Sequence, residues 1–183
     1  MRRILLLAFA SLELALPAAA QPFDSAYTDL DFEQCTVLHS DEFGVSFACP
    51  GYRGYPVYVA EGDLRMFVSY GFGAPDEKAA TQTLGPFNTL GPRIEWRLTN
   101  QSGDWRPFAT IVRYLTDPAE DYHGEALVVT TLGPYGVCQV AHIDARANPD
   151  ANELARQMAD LYGQNFDCSV REPEVIGIRG RSF

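Results

Sequence analysis

Apolar and polar residues alternate along most of this chain, and a two-residue period marks strands with one buried face. Leu64, Met66, Val68 and Tyr70 fall on one face of a predicted strand, Leu64 to Tyr70. Pro56 to Ala60 precedes it, and Glu61-Gly62-Asp63 reads as a three-residue hairpin loop. Phe32 to Leu38 and Val45 to Cys49 form a second predicted hairpin around His39-Ser40-Asp41-Glu42-Phe43-Gly44. Ile94, Trp96 and Leu98 alternate with Glu95 and Arg97, which predicts one dry and one wet face. Longer β-rich runs follow at Ala109 to Leu115 and Glu125 to Leu132, with Val137 to Ile143 after the Gly133-Pro134-Tyr135-Gly136 turn. Gly71 to Pro92, rich in glycine and proline, reads as a long irregular connection.

One segment carries a helical period. Ala151, Leu154, Ala155, Met158, Leu161 and Tyr162 recur at three- and four-residue steps, with Asn148 as cap, Pro149 at the first helical position and Gly163 as stop. Val175 to Ile178 reads as a last strand. Strands in hairpin order followed by one helix predict an α+β domain, mainly an antiparallel β-sheet with one C-terminal amphipathic helix packed on it. The alternative is a β-sandwich with an appended helix.

Ahead of these elements, Met1 to Ala20 runs from Arg2 and Arg3 through apolar Ile4 to Leu12, then to Leu16-Pro17-Ala18-Ala19-Ala20 before Gln21, the order of an export signal. Glu13 and Pro17 interrupt it short of the roughly 20 apolar residues that a spanning helix needs. The first cysteine is Cys35, so no lipid anchor fits the cleavage point. The expectation is a cleaved signal peptide over 1–20, a single domain over 21–183 with no membrane span, and a periplasmic or secreted location.

Removing residues 1–20 takes two arginines and one glutamate from totals of 14 and 24, leaving 12 cationic against 23 anionic side chains, a net charge of −11. Such a surface repels nucleic acid and anionic lipid, both of which need cationic faces. It favours a protein or envelope component, cationic in the simplest case, as partner. Composition that is 46% apolar supports a folded core.

Cys35, Cys49, Cys138 and Cys168 make an even set in an exported chain, which reads as two disulfides. Of three pairings, Cys35 with Cys49 brackets a hairpin and Cys138 with Cys168 brackets the helix, and these are favoured. No C-x2-C pair exists, and His39, His123 and His142 lie far apart, so neither a metal nor a cofactor is expected.

Candidate chemistry is sparse, and no catalytic residue is assigned. His142 and Asp144 share a strand face and could act as base and orienter in a small envelope hydrolase, but no nucleophile accompanies them. The stretch from Asp117 to Glu125 gathers four carboxylates and His123 without the EF-hand ligand order. Cys49 to Tyr58 places Tyr52, Arg53 and Tyr55 on a glycine-rich loop beside a disulfide. With Arg65 these are the candidate binding residues, since Tyr and Arg dominate recognition hot spots. Core packing of Tyr55 or Tyr58 is the plainer alternative.

The run Cys49-Pro50-Gly51-Tyr52-Arg53-Gly54-Tyr55-Pro56-Val57-Tyr58-Val59, then Glu61-Gly62-Asp63-Leu64-Arg65 and Val68-Ser69-Tyr70-Gly71, resembles a group of small exported proteins of alphaproteobacteria. Ile94-Glu95-Trp96-Arg97 and Phe108-Ala109-Thr110-Ile111-Val112-Arg113-Tyr114 extend the likeness, which covers about Tyr27 to Cys168. The resemblance implies a Gram-negative envelope setting and carries over no functional residue. No activity comes with the resemblance; the acidic charge and the loop bearing Tyr52, Arg53 and Tyr55 favour an interaction module, in one version an inhibitor of a cationic enzyme such as lysozyme.

Overall fold

The computed structural model describes residues 23–183; the expected signal peptide lies outside the described residues. The order is β1 (Phe23–Asp29), β2 (Thr36–Ser40), β3 (Gly44–Cys49), β4 (Val57–Gly62), β5 (Arg65–Tyr70), β6 (Phe87–Thr99), β7 (Arg106–Ala119), β8 (Tyr122–Gly133), β9 (Gly136–Asp144), α1 (Ala151–Tyr162) and β10 (Glu174–Ile176). A six-stranded sheet runs β1-β6-β7-β8-β9-β10 and a four-stranded sheet β2-β3-β4-β5. Pairing is antiparallel throughout, apart from β10, which joins β9 in parallel.

The large sheet is apolar on both faces and therefore sits in the middle. Ile94, Trp96 and Leu98 of β6, Val112 and Tyr114 of β7, and Ala126 and Val128 of β8 meet Val57, Val59, Met66, Val68 and Tyr70 of the small sheet in one core. On the other face Ala109, Ile111, Leu127, Val129 and Ile143 receive Ala151, Ala155, Met158 and Ala159 of α1 in a second. The molecule is thus a mainly antiparallel α+β structure in which a sandwich of two sheets carries one helix. Both disulfides form as the bracketing argument favours, Cys35 with Cys49 and Cys138 with Cys168. Disulfides of this kind fit an oxidising, extracytosolic setting. Among the described residues no helix is long and apolar enough to cross a membrane.

Several expectations need correction. Strand β1, mixed in polarity, is not foreseen by the pattern; it is an edge strand whose Ala26 lies opposite Trp96. Phe32–Gln34 is a 3-10 turn rather than the start of a strand. The loop of the β4–β5 hairpin is Asp63-Leu64, two residues rather than the expected three Glu61-Gly62-Asp63, both in the left-handed region at φ +52° and +58°, so Leu64 is turned out to solvent instead of facing the core. Gly71 to Pro92 is not wholly irregular: 3-10 turns cover Ala74–Asp76 and Lys78–Thr81, and β6 already begins at Phe87. A register shift between Leu90 and Ile94 absorbs Gly91 and Pro92.

The face of β6 expected to be wet is dry. Glu95 and Arg97 are buried beneath α1, where Arg97 makes a two-pronged contact with Asp160 (2.9 and 2.7 Å) and Arg156 one with Glu95 (2.7 and 3.2 Å). The Ser25 hydroxyl links the two pairs, donating to Glu95 at 2.6 Å and accepting from Arg97 at 2.6 Å. Asn148 does not cap the helix, which starts at Ala151. Its buried side chain donates to the carbonyls of Asp144 and Ile178 and accepts from the Ile178 N–H, pinning the chain after β10 to the end of β9.

Candidate functional site

The expected binding residues divide between two ends of the small sheet. Tyr52 and Tyr55 lie against the Trp96 ring with centroids 6.3 and 5.8 Å away, beside Tyr70 at 5.6 Å. A Cβ at Gly51 would stand 2.8 Å from the Trp96 ring and 2.2 Å from the Tyr55 carbonyl oxygen, so the glycine permits this close packing. Burial, and then the charge of Glu77, pushes the Tyr55 hydroxyl above its ordinary pKa. Arg53, at φ +49°, is exposed and covers the Tyr52 ring at 5.2 Å. Arg65 sits at the far end of β5, where it donates to the Gly85 carbonyl (2.9 Å), engages the Asp63 carboxylate and covers the Phe87 ring at 5.1 Å. The strand of six residues between these ends spans about 20 Å. Tyr52, Arg53 and Tyr55 are brought together; Arg65 is not with them.

His142 and Asp144 do not touch. The His142 ring shares a hydrogen bond with the Gln139 side-chain oxygen (2.7 Å) and meets Phe183 edge-on at 5.8 Å, and burial pushes its pKa down to about 4. Burial alone would raise the Asp144 carboxyl. It is nonetheless held below its ordinary range, because it accepts from the Ser182 N–H and hydroxyl and from the Arg146 and Ala147 N–H groups. The pair lacks the geometry of a base and its orienter. The acidic stretch from Asp117 forms the exposed β7–β8 turn, in which His123 pairs with Asp117 at 2.7 Å.

A different feature emerges at the Arg65 end. Gly44 pairs with Gly62 and Val45 with Glu61, so the β2–β3 turn and the β4–β5 turn stand side by side. They enclose an open hollow of about 600 Å³ lined by Asp41, Glu42, Phe43, Glu61, Asp63 and Leu64, among others. Asp41 builds the first turn: its carboxylate accepts from His39 (2.9 Å) and from the N–H groups of Phe43 (2.8 Å) and Gly44 (3.1 Å), and these bonds, that to His39 first, hold its pKa down. Glu61 builds the second by accepting from the Leu64 N–H at 3.1 Å. The result projects two apolar side chains, Phe43 at 79% and Leu64 at 63% exposure, beside four carboxylates lining the same hollow, of which Asp41 is paired with His39 and Asp63 with Arg65.

The conformation at Leu64 adds weight. Two-residue hairpins with both residues in the left-handed region ordinarily end in glycine, and placing a leucine there costs about 1–2 kcal/mol. Burial does not repay that cost, because the side chain faces water. Sequence reasoning misses this pair because alternation assigns Leu64 to the core face and treats Phe43 as turn filler. The available signal is an apolar residue directly after an acid in each of two turns, Asp-Glu-Phe-Gly and Gly-Asp-Leu-Arg. No family model, no curated protein and no solved structure matches the chain.

Proposed function

We propose that this protein is an exported interaction module of the Gram-negative periplasm that docks a cationic protein at the paired turns of its small sheet, in the most concrete version as an inhibitor of a basic enzyme such as lysozyme. The observation that carries the reading is the exposure of Phe43 and Leu64 in one hollow with four carboxylates. Recognition surfaces combine apolar anchors with a polar rim, and the anchors supply most of the affinity. Carboxylates beside the anchors, on a chain of net charge −10, steer a cationic partner and speed encounter. The export-signal order of residues 1–20 and the two disulfides support the compartment.

The test is calorimetric titration of the purified protein with lysozyme and with other basic proteins. The expected result is saturable binding that weakens about tenfold between roughly 0.05 and 0.3 M salt. Phe43→Ser, at an exposed site, is expected to weaken it about tenfold, as is Glu42→Lys, with unchanged thermal unfolding. Binding indifferent to salt and to both substitutions, or none to any basic protein, removes the reading.

A further inference from the structure

The opposite face of the molecule carries a second, unrelated cleft. Helix α1 has 12 residues and a length of about 18 Å, whereas β7 beneath it has 14 residues in extended form. Where the first turn of α1 meets the large sheet, a cleft of about 290 Å³ opens, reaching down to Ile111 and Leu127, which α1 leaves only 4% and 3% exposed. Its floor is Ile111 and Leu127, one wall is the Tyr27 ring from β1, and Arg93, Arg113 and Asn152 stand at the rim. Strand register builds it: Tyr27 lies opposite Glu95, Glu95 opposite Ile111, and Arg113 opposite Leu127.

The electrostatics of this cleft run against the rest of the chain. Two guanidinium groups, Arg93 and Arg113, and one carboxylate, Glu95, line it, and Arg156 pairs with Glu95 from outside the lining. The local balance is positive in a protein of net charge −10. Glu95, the acid in the lining, is already neutralised by Arg156 and bonded by Ser25. Arg156 also donates to the Tyr27 hydroxyl at 3.2 Å, which holds that ring upright as a wall. Glu125 is shared by Arg113 (2.7 Å) and Arg146 (3.3 Å). Arg93 is only loosely engaged, 3.6 Å from Asp29 with both groups largely exposed, a screened pair of little net value.

We infer that this cleft binds a small organic carboxylate with a flat apolar body, the ring lying on Ile111 and Leu127 against Tyr27 and the carboxylate at Arg93 and Arg113. Volume sets the class, since about 290 Å³ is at the lower limit of small-molecule sites. Charge sets the head group, because guanidinium forks match carboxylates in shape as well as sign. The apolar floor rejects inorganic anions, and the acidic remainder of the surface repels polyanions.

Titration of the isotope-labelled protein with phenylacetate, and with phenethyl alcohol as the neutral analogue of the same ring, tests this by NMR. The expected outcome is saturable shifts of the Leu127 and Ile111 methyls and the Asn152 amide, with a dissociation constant of about 1 mM or below for phenylacetate. Phenethyl alcohol is expected to bind about tenfold more weakly. Arg93→Gln and Tyr27→Ser, both at exposed positions, are each expected to weaken phenylacetate about fivefold without changing the spectrum of the free protein elsewhere. Equal binding of the neutral analogue, shifts centred on another surface, or no saturation by about 10 mM overturns the assignment. The docking reading stands or falls separately, because Phe43 and Leu64 belong to the small sheet on the other side.

Discussion

Leu64 shows how one dihedral separates folding from recognition. Glycine at this position relieves the left-handed strain and keeps the N–H bond to Glu61, so Leu64→Gly is expected to raise the stability to urea by about 1 kcal/mol. The same change deletes an anchor, so affinity for a basic partner should fall as stability rises; a parallel fall in both would contradict the role given to it. His142 obeys a different logic. Its pKa is about 4 in the fold against an ordinary 6.5, so between those values the unfolded chain carries a proton that the folded chain does not. Stability is therefore full above pH 6.5, declines as pH falls toward 4 and levels off below, with a loss of at most about 3 kcal/mol. Urea denaturation at pH 7 and 4.5 should show that His142→Gln, whatever its effect at neutral pH, loses less stability on acidification than the native chain. Neither property was legible along the chain: Leu64 fits an alternating strand, and the surroundings of His142 come from Gln139 on its own strand and Phe183 at a distance of 41 positions.

At the scale of elements, the large strands and the helix were readable because period and turn chemistry agree in them. Val137 to Ile143 lies where the pattern puts it with each boundary one residue out, and the helix ends as expected at Tyr162 but starts at Ala151, two residues after Pro149. The error at β6 has a physical cause. Polar residues at every second position predict a wet face, yet Glu95 and Arg97 are covered by a helix that brings its own Arg156 and Asp160 as counter-charges. Opposite charges on two elements far apart in sequence are invisible to periodicity. Such a buried pair is strongly destabilising to break, because one charge stays behind without its partner. Arg97→Ala is expected to cost about 3–5 kcal/mol in urea denaturation. The double variant Arg97→Met with Asp160→Leu should cost distinctly less, and equal losses would show that the ion pair does not dominate that site.

The whole molecule is held by layering first and covalent links second. The two cross-links differ in what surrounds them. Cys138 and Cys168 are both buried between β9 and the segment following α1, while Cys35 is only half-buried at the edge of the small sheet. Mild reductant followed by alkylation and peptide mass analysis should find Cys35 and Cys49 labelled before Cys138 and Cys168; the reverse order would contradict the burial argument. Removing Cys138–Cys168, which closes the longer loop with a separation of 30 residues, is expected to cost about 3–4 kcal/mol. Composition, cysteine positions and local periodicity by themselves determined the α+β class, the favoured cross-links and the place of the helix, since each depends on neighbours within a few residues or on chain bracketing. Tertiary structure alone decided that the sheet has two dry faces, that Arg65 stands apart from Tyr52 and Tyr55, and that Phe43 and Leu64 share one hollow with four carboxylates. Those relations arise where distant segments meet, and no local pattern encodes which of them will meet.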